Sequence, residues 1–361
     1  MNRLLSKGLL SACAASACLA AGVPAGWAAD ELVLARNAAQ KFATLPAGVR
    51  FPEGIAANPL NGDVYVGTFD FTGPNPNKLL RLAANGRMVG QRDLGGTALL
   101  GLAFDATRGN VYFANFASST IQRVAANLQG PITNVVTIPG IGAPANRLVG
   151  NPDGSQDTIQ FGSNLFPAPN AMTFDRAGNL YVSDSFQGAI WRIDNASTCA
   201  PCAPTLWVHD PLLATAGHPP FGANGVAFNA DQSALFIANT GDDRILRLDV
   251  ASGTVTVFAE SINGADGIAF DATGRLWVAA NQADEIVALN NNGRIVARLG
   301  EFQGINRDGT PNGLLFPASL VIVGDHMFVT NLALPLTAAP GDEPEEDVTL
   351  YTVSRIKLPN R

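Results

Sequence analysis

The chain has 361 residues, of which 47% are hydrophobic, 7% aromatic and only 15% charged, with 37 Gly and 23 Pro. This composition excludes a disordered chain and a coiled coil, which need far more charge, and implies many turns and few long helices. A net charge of −7 without a basic run excludes a nucleic-acid surface, which needs clustered Lys and Arg, and four Cys are too few for a small disulfide scaffold.

Arg3 and Lys7 precede an apolar stretch from Leu9 to Val23, and Trp27-Ala28-Ala29 ends in small residues. Residues 1–29 therefore read as a secretory signal cut after Ala29, leaving residues 30–361 as one exported domain, periplasmic or secreted. A lipoprotein box at Leu10-Ser11-Ala12-Cys13 is the rival reading, with Cys13 as the lipidated residue. No later segment is long and apolar enough to span a membrane.

A unit then recurs six times. Its first strand reads Glu53-Gly54-Ile55-Ala56, Leu100-Gly101-Leu102-Ala103, Asn170-Ala171-Met172-Thr173, Asn224-Gly225-Val226-Ala227, Asp266-Gly267-Ile268-Ala269 and Ser319-Leu320-Val321-Ile322. Its second is a short apolar run with a central aromatic residue: Tyr65, Tyr112, Tyr181, Phe236, Trp277 and Phe328. Turn signals such as Asn61-Gly62 and Gly178-Asn179 join the two. A third run follows in each unit (the last over Leu350 to Val353) and a fourth in several, such as Thr254 to Phe258. Six four-stranded antiparallel units predict an all-β fold, a six-bladed β-propeller. The segment Gln40 to Leu45 is expected to supply the missing outer strand of the last blade and close the ring. Long connections, about 140–169, 210–223 and 331–348, fall on the face where the first strands begin, the usual place for a binding site.

The first position of each innermost strand is the informative column: Glu53, Leu100, Asn170, Asn224, Asp266, Ser319. Two carboxylates and two amides from four blades converge on the channel mouth. Asn or Asp before Gly is commonly a turn residue, but turn duty does not call for Glu at the same place. Carboxylates close together in a partly dry channel repel, and a divalent cation relieves the conflict. Oxygen donors without Cys or His favour Ca²⁺ over Zn²⁺ or Mg²⁺.

Phe51-Pro52-Glu53-Gly54, Pro169-Asn170, Asn224-Gly225 and Asp266-Gly267, each in its blade and in chain order, resemble the senescence-marker-protein/gluconolactonase family, which includes calcium-dependent organophosphate hydrolases. The resemblance implies one channel Ca²⁺ held by Glu53, Asn224 and Asp266. Asn170 would face metal or substrate, and Asp266 would be the general base or nucleophile. The sugar-lactone branch carries Arg two residues before that Asn and a substrate-binding Glu after it. Here Ala168 takes the Arg position and the Glu has no clear counterpart, which speaks against a polyhydroxylated sugar lactone. Phe51, Phe166, Phe221 and Phe316 flank the ring and point to a more apolar substrate.

Other motifs carry less. Thr68, Asn115, Asp184, Asn239 and Asn331 close the second strands and suit loop capping. Cys199 and Cys202 lack a thioredoxin or haem context and read as a loop-stapling disulfide. Among the histidines, His218 precedes Asn224 in a loop and reads as a surface residue. No Gly-x-Ser-x-Gly elbow supports a serine hydrolase. The expected activity is Ca²⁺-dependent hydrolysis of a small-molecule ester, most fittingly a lactone, by a monomer. The alternative is a non-catalytic NHL-like propeller that binds a ligand or protein partner with Ca²⁺ as a structural ion.

Overall fold

The aromatic residue at the centre of each second strand explains why the blades stack. The side chains of Tyr65, Tyr112, Tyr181 and Phe236 pack on Phe104, Phe174, Phe228 and Phe270, the phenylalanines at or next to the end of the first strand of the following blade. Ring centroids lie 5.0–5.5 Å apart. Each blade alone exposes this aromatic face, so burial requires a neighbour on both sides and favours a closed ring.

The computed structural model describes Leu34 and residues 37–359, apart from 72, 74, 75, 163–165 and 301. The expected signal peptide, residues 1–29, and Cys13 lie outside the described residues. The protein is an all-β, six-bladed propeller of four-stranded antiparallel sheets. In blade 1 the strands are Pro52–Ala57, Val64–Thr68, Lys78–Leu82 and Met88–Asp93, called a to d from the channel outward. Each strand a contacts the strands a of both neighbours, blade 6 meeting blade 1. Gln40–Thr44 pairs with Thr352–Lys357 as the outer strand of blade 6, so the N-terminal strand closes the ring as expected. Strand c of blade 6 begins at Thr352, two residues later than the apolar pattern indicated, and runs on to Lys357. The Thr330 hydroxyl donates to the Glu53 carbonyl at 2.7 Å and adds a side-chain seal at the same seam.

The long connections carry structure of their own. Residues 140–169 include a hairpin, Arg147–Gly150 with Gln156–Ile159. Its Arg147 bridges to Asp242 of blade 4 at 2.8 Å, and Asp242 also accepts a hydrogen bond from Thr215. The loop after Asn331 ends in a short 3-10 helix, Pro344–Asp347, with Glu345 buried. Burial, with the charges of Asp284 and Glu343 added, raises the Glu345 carboxyl to about 7. Its proton is held more tightly in the folded than in the unfolded chain, so stability is lost as pH rises from about 4.5 to about 7. Glu345→Gln should lose less of its melting temperature than wild type between pH 5 and pH 8. Parallel pH profiles would overturn that assignment.

Cys199 and Cys202 are disulfide-bonded within the c–d loop of blade 3. The Cys202 N–H donates to the Val135 carbonyl of blade 2. Among the described residues no helix is long and apolar enough to cross a membrane.

Candidate metal and active site at the channel mouth

Every strand a carries a register shift against strand b at the same place, between Pro52 and Ile55 in blade 1 and at the equivalent residues of the other five. Such a bulge re-aims one side chain, here toward the channel. The aimed residues are Glu53, Leu100, Asn170, Asn224, Asp266 and, in blade 6, Ala318. Sequence alignment placed Ser319 in this column, and the structure corrects it. Pro317 pairs with Asn331 as Pro52 pairs with Thr68, so the bulge falls one residue earlier. Ser319 instead joins the next column, with Gly54, Gly101, Ala171, Gly225 and Gly267. That column is small because neighbouring inner strands nearly touch: a Cβ on Gly54 would lie 2.4 Å from the Leu100 carbonyl oxygen.

A second column emerges only from the fold. The residue just past strand b donates its backbone N–H to the carbonyl two residues before the ring position, in all six blades. These residues are Phe69, Phe116, Ser185, Thr240, Asn281 and Leu332. In blades 3 to 5 they orient the ring. The Ser185 hydroxyl spends its proton on the Ala223 carbonyl at 2.7 Å, so it must accept from Asn170 Nδ2 at 3.0 Å. The Asn170 Oδ1 is thereby turned to the channel. Thr240 donates to the Ala265 carbonyl at 2.8 Å and accepts from Asn224 Nδ2 at 3.0 Å, fixing Asn224 likewise. In blade 5 Asn281 Nδ2 donates to Asp266 Oδ2 at 3.0 Å.

Glu53, Asn170, Asn224 and Asp266 are buried, with exposures of 4%, 1%, 5% and 5%. All four line one cavity of about 310 Å³. Asn281 lines it too, a member the sequence reading missed because nothing in the strand pattern marks a residue after strand b. Glu53 Oε2, Asn170 Oδ1, Asp266 Oδ1 and Asn281 Oδ1 are buried without a hydrogen-bond partner. Orphaned buried polar atoms are rare and costly. Asn281 Oδ1 packs against Gly264, whereas the other three are oxygens of ring residues, so their shared remedy is a donor or a cation. Burial, and secondarily the charge of Asp266, raises the Glu53 carboxyl well above the usual carboxylate range. Burial lifts Asp266 to about 7, with the Asn281 and Asn224 amides pulling it back down. Both shifts mark a site that disfavours two bare negative charges. Among the described residues no three His, Cys, Asp and Glu side chains gather, so amide oxygens must complete any donor set. This all-oxygen donor set fits a hard divalent cation and suits neither Zn²⁺ nor a soft metal.

The flanking phenylalanines separate. Phe221 and Phe316 line the cavity. Phe51 does not; it packs in the core against Tyr351, ring centroids 5.1 Å apart. Phe166 is half exposed and reaches the site through Phe116, centroids 5.2 Å apart. His218 lies on the cavity rim. Asp184 is wholly buried and accepts hydrogen bonds from Ala168, Gln187 and Trp191, which makes it a loop cap. A larger cavity of about 650 Å³ at the other end of the channel is lined by strand a residues such as Gly101, Ala171, Gly225 and Ser319, without an acid or histidine. Size alone does not make it the reactive end.

The fold and ring define a six-bladed propeller with an acid-and-amide centre at one channel mouth. Residues 217–300, which include Asn224-Gly225 and Asp266-Gly267, match the model of the SMP-30/Gluconolactonase/LRE-like region. The chain thus resembles that family, in agreement with the motifs. No curated protein is similar enough to match it. Among solved structures, a calcium-binding regucalcin from Agrobacterium tumefaciens shares 17% identity at a TM-score of 0.57, with 89% of this chain and 97% of that one covered. A gluconolactonase from Xanthomonas campestris shares 15% at 0.54, covering 88% and 89%. Virginiamycin B lyase from Staphylococcus aureus shares 16% at 0.53, covering 88% and 98%. At these identities the likeness is one of fold.

Proposed function

We propose that the protein is a Ca²⁺-dependent hydrolase of ester bonds, most fittingly a lactonase, exported behind residues 1–29. The observation that carries this reading is the set of three buried, unpartnered oxygens on the ring residues Glu53, Asn170 and Asp266 around one cavity. The matched family region and the gluconolactonase-like neighbour support a propeller hydrolase. The regucalcin neighbour supports a divalent metal.

Glu53, Asn170, Asn224 and Asp266 would hold the ion, with Asn281 bracing Asp266 through its Nδ2. Bound there, Ca²⁺ supplies a Lewis acid for the ester carbonyl. The chain's own residues supply the rest. Asp266 Oδ2 is occupied by Asn281, which fixes the carboxylate and leaves Oδ1 to take the proton of an attacking water. Water oxygen bonds to the acyl carbon, the ester C–O bond breaks, and the proton passes to the leaving alkoxide. Asn170 and Asn224, braced by Ser185 and Thr240, orient the substrate without a rotamer search on binding.

The test joins elemental analysis to a hydrolysis screen over aliphatic, aromatic and sugar lactones and organophosphate esters, with and without chelator. About one Ca²⁺ per chain, a lower melting temperature after chelation and chelator-sensitive turnover are expected. Bound Ca²⁺ with no turnover on any ester would favour a binding propeller; no metal and unchanged melting would remove the site.

A further inference from the structure

The two columns around the mouth divide it into chemically different halves. In blades 3, 4 and 5 both positions are polar: Asn170 with Ser185, Asn224 with Thr240, Asp266 with Asn281. In blades 2 and 6 both are apolar, Leu100 with Phe116 and Ala318 with Leu332, and in blade 1 Glu53 is followed by Phe69. The apolar side is extended by Phe71, which is 60% exposed at the rim, and by Leu334 and Leu336 of the loop after strand b of blade 6. Phe71, Phe69, Phe116 and Phe221 form a continuous ring-to-ring wall, with successive centroids 4.9, 5.3 and 6.4 Å apart.

We propose that the substrate is a lactone or ester with an apolar arm, aliphatic or aryl, whose carbonyl end sits on the ring and whose arm lies on the wall of blades 6, 1 and 2, closed at its far end by Phe221 of the loop entering blade 4. The inference rests on the hydrolase reading of this site and names the substrate class and its direction. Two arguments carry it. First, an exposed phenylalanine at a cavity rim, continuous with a wall of one buried and two half-buried phenyl rings, is apolar surface awaiting cover. Each methylene moved from water onto such a wall contributes a factor of about four in binding. Second, a polyhydroxylated lactone needs a partner for each hydroxyl it buries. Among the described lining residues there is no Lys or Arg, and outside the ring only Thr240, Asn281 and His218 carry polar side-chain atoms. Thr240 has spent its proton on Ala265, and one Asn281 N–H is taken by Asp266. With only the second Asn281 N–H and His218 left outside the ring, the site has fewer partners than a polyhydroxylated lactone has hydroxyls, and it discriminates against them.

The test uses the full mature protein with saturating Ca²⁺ and three probes: γ-butyrolactone, γ-nonalactone and glucono-δ-lactone. Wild type should show kcat/KM for γ-nonalactone about 100-fold above that for γ-butyrolactone, as most of the five-carbon arm leaves water. Phe71→Ala should lower that ratio by roughly tenfold through loss of wall area. Phe71 is exposed, so the variant folds, and Phe116→Leu supplies a second, milder cut in the wall. Equal or faster turnover of glucono-δ-lactone would overturn the inference while leaving the hydrolase reading intact. Calorimetric binding of the same lactones to Asp266→Asn reads the preference without turnover. Preference for γ-nonalactone there, with no hydrolysis by wild type, would sink the hydrolase reading alone; binding of none of the three lactones would sink the inference.

Discussion

Asp266→Asn should cut turnover by two or more orders of magnitude at saturating Ca²⁺, the scale of losing a general base. The structure makes this substitution harsher than its size implies. Asn281 Nδ2 donates to Asp266 Oδ2, so an amide at position 266 must offer its oxygen there and swing its NH₂ to where Oδ1 stood. A donor then replaces the free acceptor. The proton acceptor and one metal-facing oxygen are lost together, and Ca²⁺ affinity falls as well. Glu53→Gln is the control. Its Oε2 is equally unpartnered, but it has no proposed proton to accept, so it should recover more activity as Ca²⁺ is raised. Equal and full recovery of both variants would mean that the carboxylates only hold metal. A readout independent of activity follows from the two buried charges. In chelator each variant removes a carboxylate that burial disfavours, so its melting temperature should equal or exceed that of wild type. In Ca²⁺ the order should reverse. The same order in both conditions would contradict a cation between the two acids.

Gly225→Ala should be among the most damaging single-methyl changes in the protein. The new Cβ would stand 2.2 Å from the Asp266 carbonyl oxygen and 2.9 Å from the Gly267 Cα. Both are backbone atoms of the next inner strand, so neither yields without moving strand a of blade 5. Overpacking of this kind costs roughly 1–3 kcal/mol, at the upper end when backbone must shift. Urea unfolding should show a lower midpoint with an unchanged slope. Ca²⁺ affinity should fall too, because the displaced carbonyl belongs to Asp266. Gly96→Ala is the matched control, with no atom within 4 Å of its Cβ, and should be near neutral. A midpoint for Gly225→Ala within error of Gly96→Ala would show that the inner strands have slack.

The amino-acid sequence by itself determined the blades. Alternating apolar runs, turn dipeptides and the aromatic residue of each strand b are local patterns, and each forces one face toward a neighbour. Six copies and a spare N-terminal strand were enough to state the ring. Glu53, Asn170, Asn224 and Asp266 stood out because they occupy one repeated position. Only the tertiary structure decided what those residues do together. Glu53 and Asp266 are distant in the chain and meet because the ring closes, which no local pattern encodes. The bulge in strand a placed Ala318 rather than Ser319 in the ring, since register depends on the pairing partner and not on the strand's own alternation. Ser185, Thr240 and Asn281 follow strand b where no periodicity marks them, yet Ser185 and Thr240 orient the ring amides through hydrogen bonds to the next blade, and Asn281 holds Asp266 within its own blade. The apolar wall was legible only as scattered phenylalanines. Phe51 belongs to the core and Phe69 and Phe116 to the cavity, because the direction of a side chain at a strand end is set by the neighbouring blade.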